Sequence, residues 1–116
     1  MHRTAALLLL CGASAALYLA QSAGIVFYER YALEIIFAPS HFLGGLCVGL
    51  GAVYASHVYG HRLLLWQCLL AVLCVGIGWE VWEYSWAQPI PTWDTALDIV
   101  MDLLGGYVAY TVSKRL

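Results

Sequence analysis

Residues 63–84 read LLLWQCLLAVLCVGIGWEVWEY, and their composition indicates the fold class of the whole chain. This stretch contains no charged residue from Leu63 to Trp79 and then carries two acids near its end, Glu80 and Glu83. A transmembrane helix needs about 20 predominantly apolar residues. The stretch is therefore predicted to be a helix that crosses a membrane, with both acids at one end of the span.

Three further stretches have the same character, so the chain is predicted to cross the membrane four times. They are residues 4–27, 41–59 and 95–112. Of the 116 residues, 63% are hydrophobic and 10% are charged, whereas soluble domains carry about 25% charged residues. This composition argues against a soluble enzyme and against a nucleic-acid-binding protein.

The short connections between the spans favour antiparallel neighbours. We therefore expect a single integral membrane domain, residues 1–116, that is all-α and folds as a four-transmembrane-helix antiparallel bundle. Ser40 is a candidate N-cap of the second helix, Gly60 is its candidate stop, and residues 89–91 are a predicted loop. The first span is expected to be retained as a helix and not cleaved as a signal peptide, because its apolar run is long and lacks a clean cleavage site.

The basic residues predict how the bundle is oriented, because cytoplasmic loops are enriched in Lys and Arg. Arg30 alone falls on one side of the membrane, and the other basic residues share the opposite side: Arg3, Arg62, Lys114 and Arg115. Both termini are therefore predicted to be cytoplasmic. Every acidic residue then falls in the outer half of the membrane or at its outer face: Glu29, Glu34, Glu80, Glu83, Asp94, Asp98 and Asp102.

Three aspartates follow one face of the fourth helix. Asp94, Asp98 and Asp102 are spaced i, i+4, i+8, and consecutive members lie only about 40° apart around a helix axis. Asp94 can act as an N-cap, and Asp98 can interact favourably with the helix dipole. Asp102 lies two turns inside the helix, where neither explanation applies.

Two glutamates and a histidine are predicted to face these aspartates. Glu80 and Glu83 lie one turn apart near the C-terminal end of the third helix, where the helix dipole disfavours acids. His41 begins the second helix on the same side of the membrane. An acid inside a bilayer costs several kcal/mol unless it is paired or neutral. A solvated interfacial position is the alternative for Glu83 and for Glu80, and a polar interface role is the alternative for His41.

Carboxylates this close must share protons or bind a cation, because like charges disfavour one another's ionised form. Carboxylate oxygens and one imidazole nitrogen suit a divalent ion such as Mg²⁺, Mn²⁺, Ca²⁺ or Zn²⁺. The predicted metal ligands are Glu80, Glu83, Asp98, Asp102 and His41. If the protein is an enzyme, its predicted catalytic residues are Glu80, Asp98, Asp102 and His41. A proton-sharing or purely structural acid cluster is the alternative.

Two histidines at the inner end of the second helix raise the question of haem. His57 and His61 are spaced i, i+4, but axial ligation from both faces would need a histidine on a facing helix. The third and fourth helices contain none, so no haem is expected, and the preferred interpretation is a position at the membrane interface.

Glycines mark the helix faces that are predicted to pack closely. Gly45 and Gly49 form a Gly-x-x-x-Gly pattern on the second helix, and Gly105 and Gly106 lie on the fourth. Small residues of this kind let helix backbones approach each other in a membrane. The contact is expected either within one chain or in a homo-oligomer formed through helix 41–59.

Short motifs in this region resemble two families of small membrane proteins. The segments HFLG at 41–44 and DIVMDLLG at 98–105 resemble VanZ-like proteins, in which Asn usually stands at the position of Asp102. The segments WEVWE at 79–83 and WDTALD at 93–98 are similar to YjdF-like proteins. The resemblance implies a four-helix protein of the bacterial inner (cytoplasmic) membrane, and it implies little about chemistry.

Three functions remain open at this point. In the first, a divalent ion on Glu80, Asp98 and Asp102 holds the phosphate of a cell-envelope lipid, in an enzyme or a binding protein. In the second, the same acids relay a cation or a proton as part of a carrier. In the third, the protein is a non-catalytic accessory subunit of the envelope. Membrane lipids are expected partners, and nucleic acid is not.

Overall fold

The computed structural model describes residues 2–85 and 92–115, and four long helices make up most of them. They are α1 (Arg3–Tyr31), α2 (Ala38–Tyr59), α3 (Leu65–Tyr84) and α4 (Thr92–Arg115), and a short 3₁₀ helix at Glu34–Phe37 precedes α2. The described ranges contain no strand. Each of the four helices is long and apolar enough to cross a membrane, which confirms the predicted all-α, four-span bundle.

The starts of α2 and α4 differ from the predicted ones in a way that affects the polar residues. α2 begins at Ala38, so Pro39 occupies its first turn, where a missing N–H costs no helix hydrogen bond. Ser40 therefore lies inside the helix and does not cap it. α4 begins at Thr92, which places Asp94 in the first turn of the helix instead of at its N-cap.

The other end of α2 is where the sequence predicts it. Gly60 follows the last residue of the helix with a φ of 69°, in the left-handed region that favours glycine. This confirms Gly60 as the stop. α1 continues to Tyr31, beyond the predicted end at residue 27. The predicted loop at residues 89–91 lies outside the described residues.

Helices α2 and α4 run in the same direction and form the most extensive helix contact in the bundle. A Cβ atom added at Gly45 would overlap the backbone of Asp102, and one added at Gly49 would lie 2.6 Å from the Cβ atom of Ala109. Because glycine lets two helix backbones touch, these contacts set the register of α4 beside α2. The close packing predicted from the glycines is thus present within one chain, and a homo-oligomer stays a prediction.

The bundle is apolar on its outside and carries acids inside, the reverse of a protein that folds in water. Large apolar side chains that are about two-thirds exposed occur on α1 and α3: Leu8, Leu19, Val26 and Val81. The buried polar and charged residues in the described ranges are Ser40, Glu80, Asp94, Asp98 and Asp102. Lipid satisfies the outer surface, whereas the buried acids must be satisfied by one another or by a bound ion.

Substitution of Gly45 by alanine is expected to destabilise the bundle, and the same substitution at Gly51 is not. The methyl group at residue 45 would overlap the Asp102 backbone, and overpacking of this kind costs about 1–3 kcal/mol. Nothing lies within 4 Å of a Cβ atom added at Gly51, so the better helix propensity of alanine gives a gain of up to about 1 kcal/mol there. Denaturant unfolding in one detergent measures the difference, and equal stabilities would contradict the α2–α4 contact.

Candidate metal centre

Three side chains from three helices meet at the end of the bundle where α2 and α4 begin and α3 ends. His41 lies in the first turn of α2, Glu80 near the end of α3, and Asp98 in the second turn of α4. Glu80 and Asp98 are each 5% exposed, and the side chain of His41 is 12% exposed. Because α3 runs opposite to α2 and α4, these residues fall at one level although they are far apart in sequence.

The geometry of these three residues suits a single bound ion. One ligand atom from each of His41, Glu80 and Asp98 can be chosen so that all three atoms lie within 4.8 Å of one another. The Nε2 atom of His41 is 3.3 Å from Oδ2 of Asp98. Ligand atoms that share one ion lie about 3–4 Å apart when metal–ligand bonds are near 2.1 Å. Small side-chain rotations are therefore enough to close the set around an ion.

The carboxyl group of Glu80 is the most unusual feature of this centre. Both of its oxygens are buried, and neither has a hydrogen-bond partner among the residues that the structure describes. An ionised carboxylate in this state is expensive, because it loses its hydration and gains nothing in return. Glu80 must therefore hold a proton or face a cation.

Asp102 lies one turn deeper than Asp98 on α4, in a niche lined by glycines. Its Oδ2 atom is 3.6 Å from Nδ1 of His41. A Cβ atom added at Gly76 on α3 would lie 2.6 Å from the same Oδ2 atom, and one added at Gly44 on α2 would lie 3.7 Å from Oδ1. The Asp102 carboxylate thus occupies space that exists because Gly76 has no side chain, whereas a Cβ atom at Gly44 would only be in ordinary van der Waals contact with it.

The acids continue outward from the three central residues towards the end of the bundle. Glu83 lies one turn beyond Glu80 on α3 and is half-buried. Asp94 lies one turn before Asp98 on α4 and is 5% exposed. Glu34 accepts a hydrogen bond of 2.8 Å from the hydroxyl of Tyr28. Among the predicted ligands, the structure therefore brings His41, Glu80 and Asp98 together as a possible ion-binding group, and it places Glu83 and Asp102 on either side of that group.

Positive charge is scarce around these acids. Within residues 2–85 and 92–115, the ion pairs at this centre join His41 to Asp98 and to Asp102. Arg30, the basic residue predicted on this side of the membrane, packs over the ring of Tyr31 at 5.6 Å from its centroid. A single imidazolium cannot neutralise ionised Glu80, Asp98 and Asp102 together, so one more cation would offset the remaining negative charge of the centre.

Two buried hydroxyl groups and the glycine niche were not anticipated from the sequence. The hydroxyl oxygens of Ser40 and Thr95, which adjoin His41 and Asp94 in sequence, are buried without a hydrogen-bond partner in the described part of the chain. The glycine niche was also missed. The sequence pattern that could have predicted it is the spacing of four residues between Gly76 and Glu80, which places both on the same face of α3 one turn apart.

Comparison with known proteins identifies no relative, so the class of this protein is defined by its fold and its site. The chain matches no protein-family model, no curated protein and no solved structure. Its four apolar helices and its buried group of His41, Glu80 and Asp98 define a class: a small multi-pass membrane protein with residues that could hold a metal ion. The resemblance to VanZ-like and YjdF-like proteins stays a prediction.

Proposed function

We propose that this protein is a small multi-pass protein of the bacterial inner membrane that binds a divalent cation through His41, Glu80 and Asp98. The bound ion holds the phosphate group of a cell-envelope lipid in the outer half of the bilayer. One observation carries the proposal: the carboxyl group of Glu80 is 5% exposed, and its two oxygens have no hydrogen-bond partner among the described residues. A cation beside it removes that cost.

The donor set favours particular ions. Two carboxylates balance the charge of one divalent cation, and a neutral site is much cheaper in a low-dielectric interior than a charged one. The imidazole nitrogen of His41 suits Mn²⁺, Fe²⁺ or Zn²⁺ better than Ca²⁺ or Mg²⁺, which prefer oxygen ligands. Three protein ligands also leave at least one coordination position open, as catalytic zinc sites do. We expect Zn²⁺ or Mn²⁺ as the resident ion.

The depth of the centre supports a lipid phosphate as the bound group. Asp98 lies six residues after the start of α4 at Thr92, which corresponds to about 9 Å along the helix. Trp79 and Trp93 are exposed at the same end of the bundle, and tryptophan is enriched at the headgroup level of membranes. A divalent ion near this level can act as a Lewis acid and as a clamp for phosphate oxygens.

A cation or proton carrier is the second candidate, and the row of Asp94, Asp98 and Asp102 along one face of α4 favours it. This row of aspartates ends inside the bundle. One turn below Asp102, α4 presents Gly106 to the side chain of Val72, and two turns below it Ala109 packs against Gly49 of α2. The described residues at this depth offer no acid or histidine beyond Asp102 that would continue a path. This arrangement supports a one-sided binding site over a continuous route.

Metal analysis of the purified protein tests the proposal. After removal of metals with a chelator and incubation with Zn²⁺ or Mn²⁺, we expect one ion per chain. Glu80→Gln should weaken binding by more than about a hundredfold, since loss of an outer partner of a ligand already costs about 10- to 100-fold. The control is Glu29→Gln, an exposed acid on α1, which should bind normally. Absence of a stoichiometric ion, with pH-dependent proton uptake in vesicles, would favour the carrier.

Contact between the bound ion and a lipid phosphate is tested by a separate measurement. Mn²⁺ bound to the protein is paramagnetic and should broaden the phosphorus resonance of a short-chain phosphatidic acid that touches the ion. Inorganic phosphate, tested separately, distinguishes a lipid headgroup from free phosphate. Broadening that is equal for wild type and Glu80→Gln would contradict contact between the phosphate and this centre.

A further inference from the structure

The imidazole of His41 lies between two carboxylates that approach different atoms of the ring. Nε2 is 3.3 Å from Oδ2 of Asp98, and Nδ1 is 3.6 Å from Oδ2 of Asp102. A neutral imidazole has one nitrogen that donates a hydrogen bond and one that accepts it or binds a metal. Asp98 and Asp102 therefore cannot have the same role towards His41 when a metal is bound.

We infer that Asp102 is a positioning residue, which accepts the Nδ1 proton of His41 and turns Nε2 towards the ion shared with Asp98 and Glu80. This inference rests on the proposed function. Histidines that bind metals commonly donate their other ring N–H to a carboxylate, which selects the tautomer, orients the ring and strengthens the ligand. The separation of 3.6 Å between Nδ1 and Oδ2 is a few tenths of an ångström longer than a hydrogen bond. A small rotation of either side chain closes it.

The packing of Asp102 against glycines is a second observation that supports this positioning role. The Asp102 backbone packs directly against Gly45 of α2, and its carboxylate faces Gly76 of α3. His41 lies one turn from Gly45, and Glu80 lies one turn from Gly76, on the same two helices. The layer that contains Asp102 is thus packed immediately beneath the layer that contains the ligands. The two glycines determine how far the carboxylate can approach the imidazole.

Substitutions of Asp98 and Asp102 are expected to have different spectroscopic consequences. Asp102→Asn keeps the shape of the side chain and one acceptor oxygen but removes its charge. It should weaken metal binding about 10- to 100-fold while the donor atoms around the ion stay the same. Asp98→Asn changes the donor set itself. It should therefore alter the spectrum of the bound metal as well as its affinity.

Co²⁺ is the probe for this test, because its visible absorption depends on the number and kind of its ligands. Co²⁺ is titrated into metal-free wild type, Asp102→Asn, Asp98→Asn and the exposed control Glu29→Gln, all in one detergent. The expected result is an unchanged spectrum with weaker binding for Asp102→Asn, a changed spectrum for Asp98→Asn, and wild-type behaviour for Glu29→Gln. Gly76→Ala is the second variant, for use if Asp102→Asn does not fold. Its added methyl group displaces the Asp102 carboxylate without changing a ligand, so it should also weaken Co²⁺ binding and leave the spectrum unchanged.

The possible failures are distinguishable. If wild type binds no Co²⁺, the proposed function and this inference are both overturned. If wild type binds Co²⁺ and Asp102→Asn binds it equally well, the inference alone is wrong. A spectrum of Asp102→Asn that changes in the same way as that of Asp98→Asn would make Asp102 a direct ligand, which also overturns the positioning role.

Discussion

Replacement of Glu80 by leucine is expected to stabilise the metal-free bundle and to abolish its stabilisation by metal. Without metal, the buried carboxyl group has no hydrogen-bond partner in the described residues, and an apolar side chain of similar size should raise the free energy of unfolding by about 1–3 kcal/mol. With metal at a thousandfold excess over Kd, the wild type should gain about 4.1 kcal/mol, which exceeds that difference, and the variant should gain nothing. The variant should therefore be the more stable protein without metal, and the wild type should be the more stable one with metal.

Unfolding in one detergent, once with a chelator and once with Zn²⁺, measures this exchange. Glu83→Leu is the matched control, because Glu83 lies one turn beyond Glu80 on the same helix, is half-buried and lies outside the possible ion-binding group. It should retain the gain in stability with Zn²⁺. A loss of stability for Glu80→Leu in the presence of chelator would show that the Glu80 carboxyl group is already satisfied, which removes the reason for a cation.

A membrane-impermeant thiol reagent added to intact bacterial cells is expected to label Leu33→Cys and to leave His61→Cys unlabelled. Leu33 is 54% exposed between α1 and the 3₁₀ helix, and His61 is exposed just beyond the end of α2. Because α2 is long enough to cross the membrane, we expect the two positions to lie on opposite sides. The distribution of Lys and Arg predicts which of them faces outward. The effect is all-or-none, and it decides which half of the bilayer contains His41, Glu80 and Asp98.

Permeabilised cells are the first control for the labelling experiment, because both variants should then react. Wild type is the second control, since its cysteines all lie within the four helices and measure the background: Cys11, Cys47, Cys68 and Cys74. Labelling of His61→Cys alone in intact cells would place His41 and Glu80 in the cytoplasmic half. An envelope lipid presented from the outer leaflet would then no longer reach the ion.

The helices could be predicted from the sequence because a membrane span is a local property. About 20 apolar residues suffice to define one, and the runs around residues 4–27 and 63–84 meet that requirement without knowledge of their neighbours. Gly60 ended α2 where the sequence indicated, since a left-handed φ is also a local requirement. The starts of α2 and α4 were less accurate, because Ser40 and Asp94 were interpreted as capping residues and the helices begin earlier.

The acids of the site were also visible in the sequence, because helical periodicity places Asp98 and Asp102 on one face and the antiparallel connection brings Glu80 beside them. Their separate roles were not visible. Whether an aspartate faces Nε2 or Nδ1 of His41 depends on the rotation and register of α4 relative to α2. Those are set by the close contact of Gly45 with the Asp102 backbone.

Apolar length and helical periodicity were enough to predict the four spans and the enrichment of acids at one end of the bundle, since a membrane span needs a minimum apolar length and each helix repeats every 3.6 residues. The packing of the helices was needed to show that His41, Glu80 and Asp98 share one level and that Asp102 lies beneath them against glycines. The reason is that atoms on three separate helices come within 4.8 Å of one another through backbone packing, which no single segment specifies.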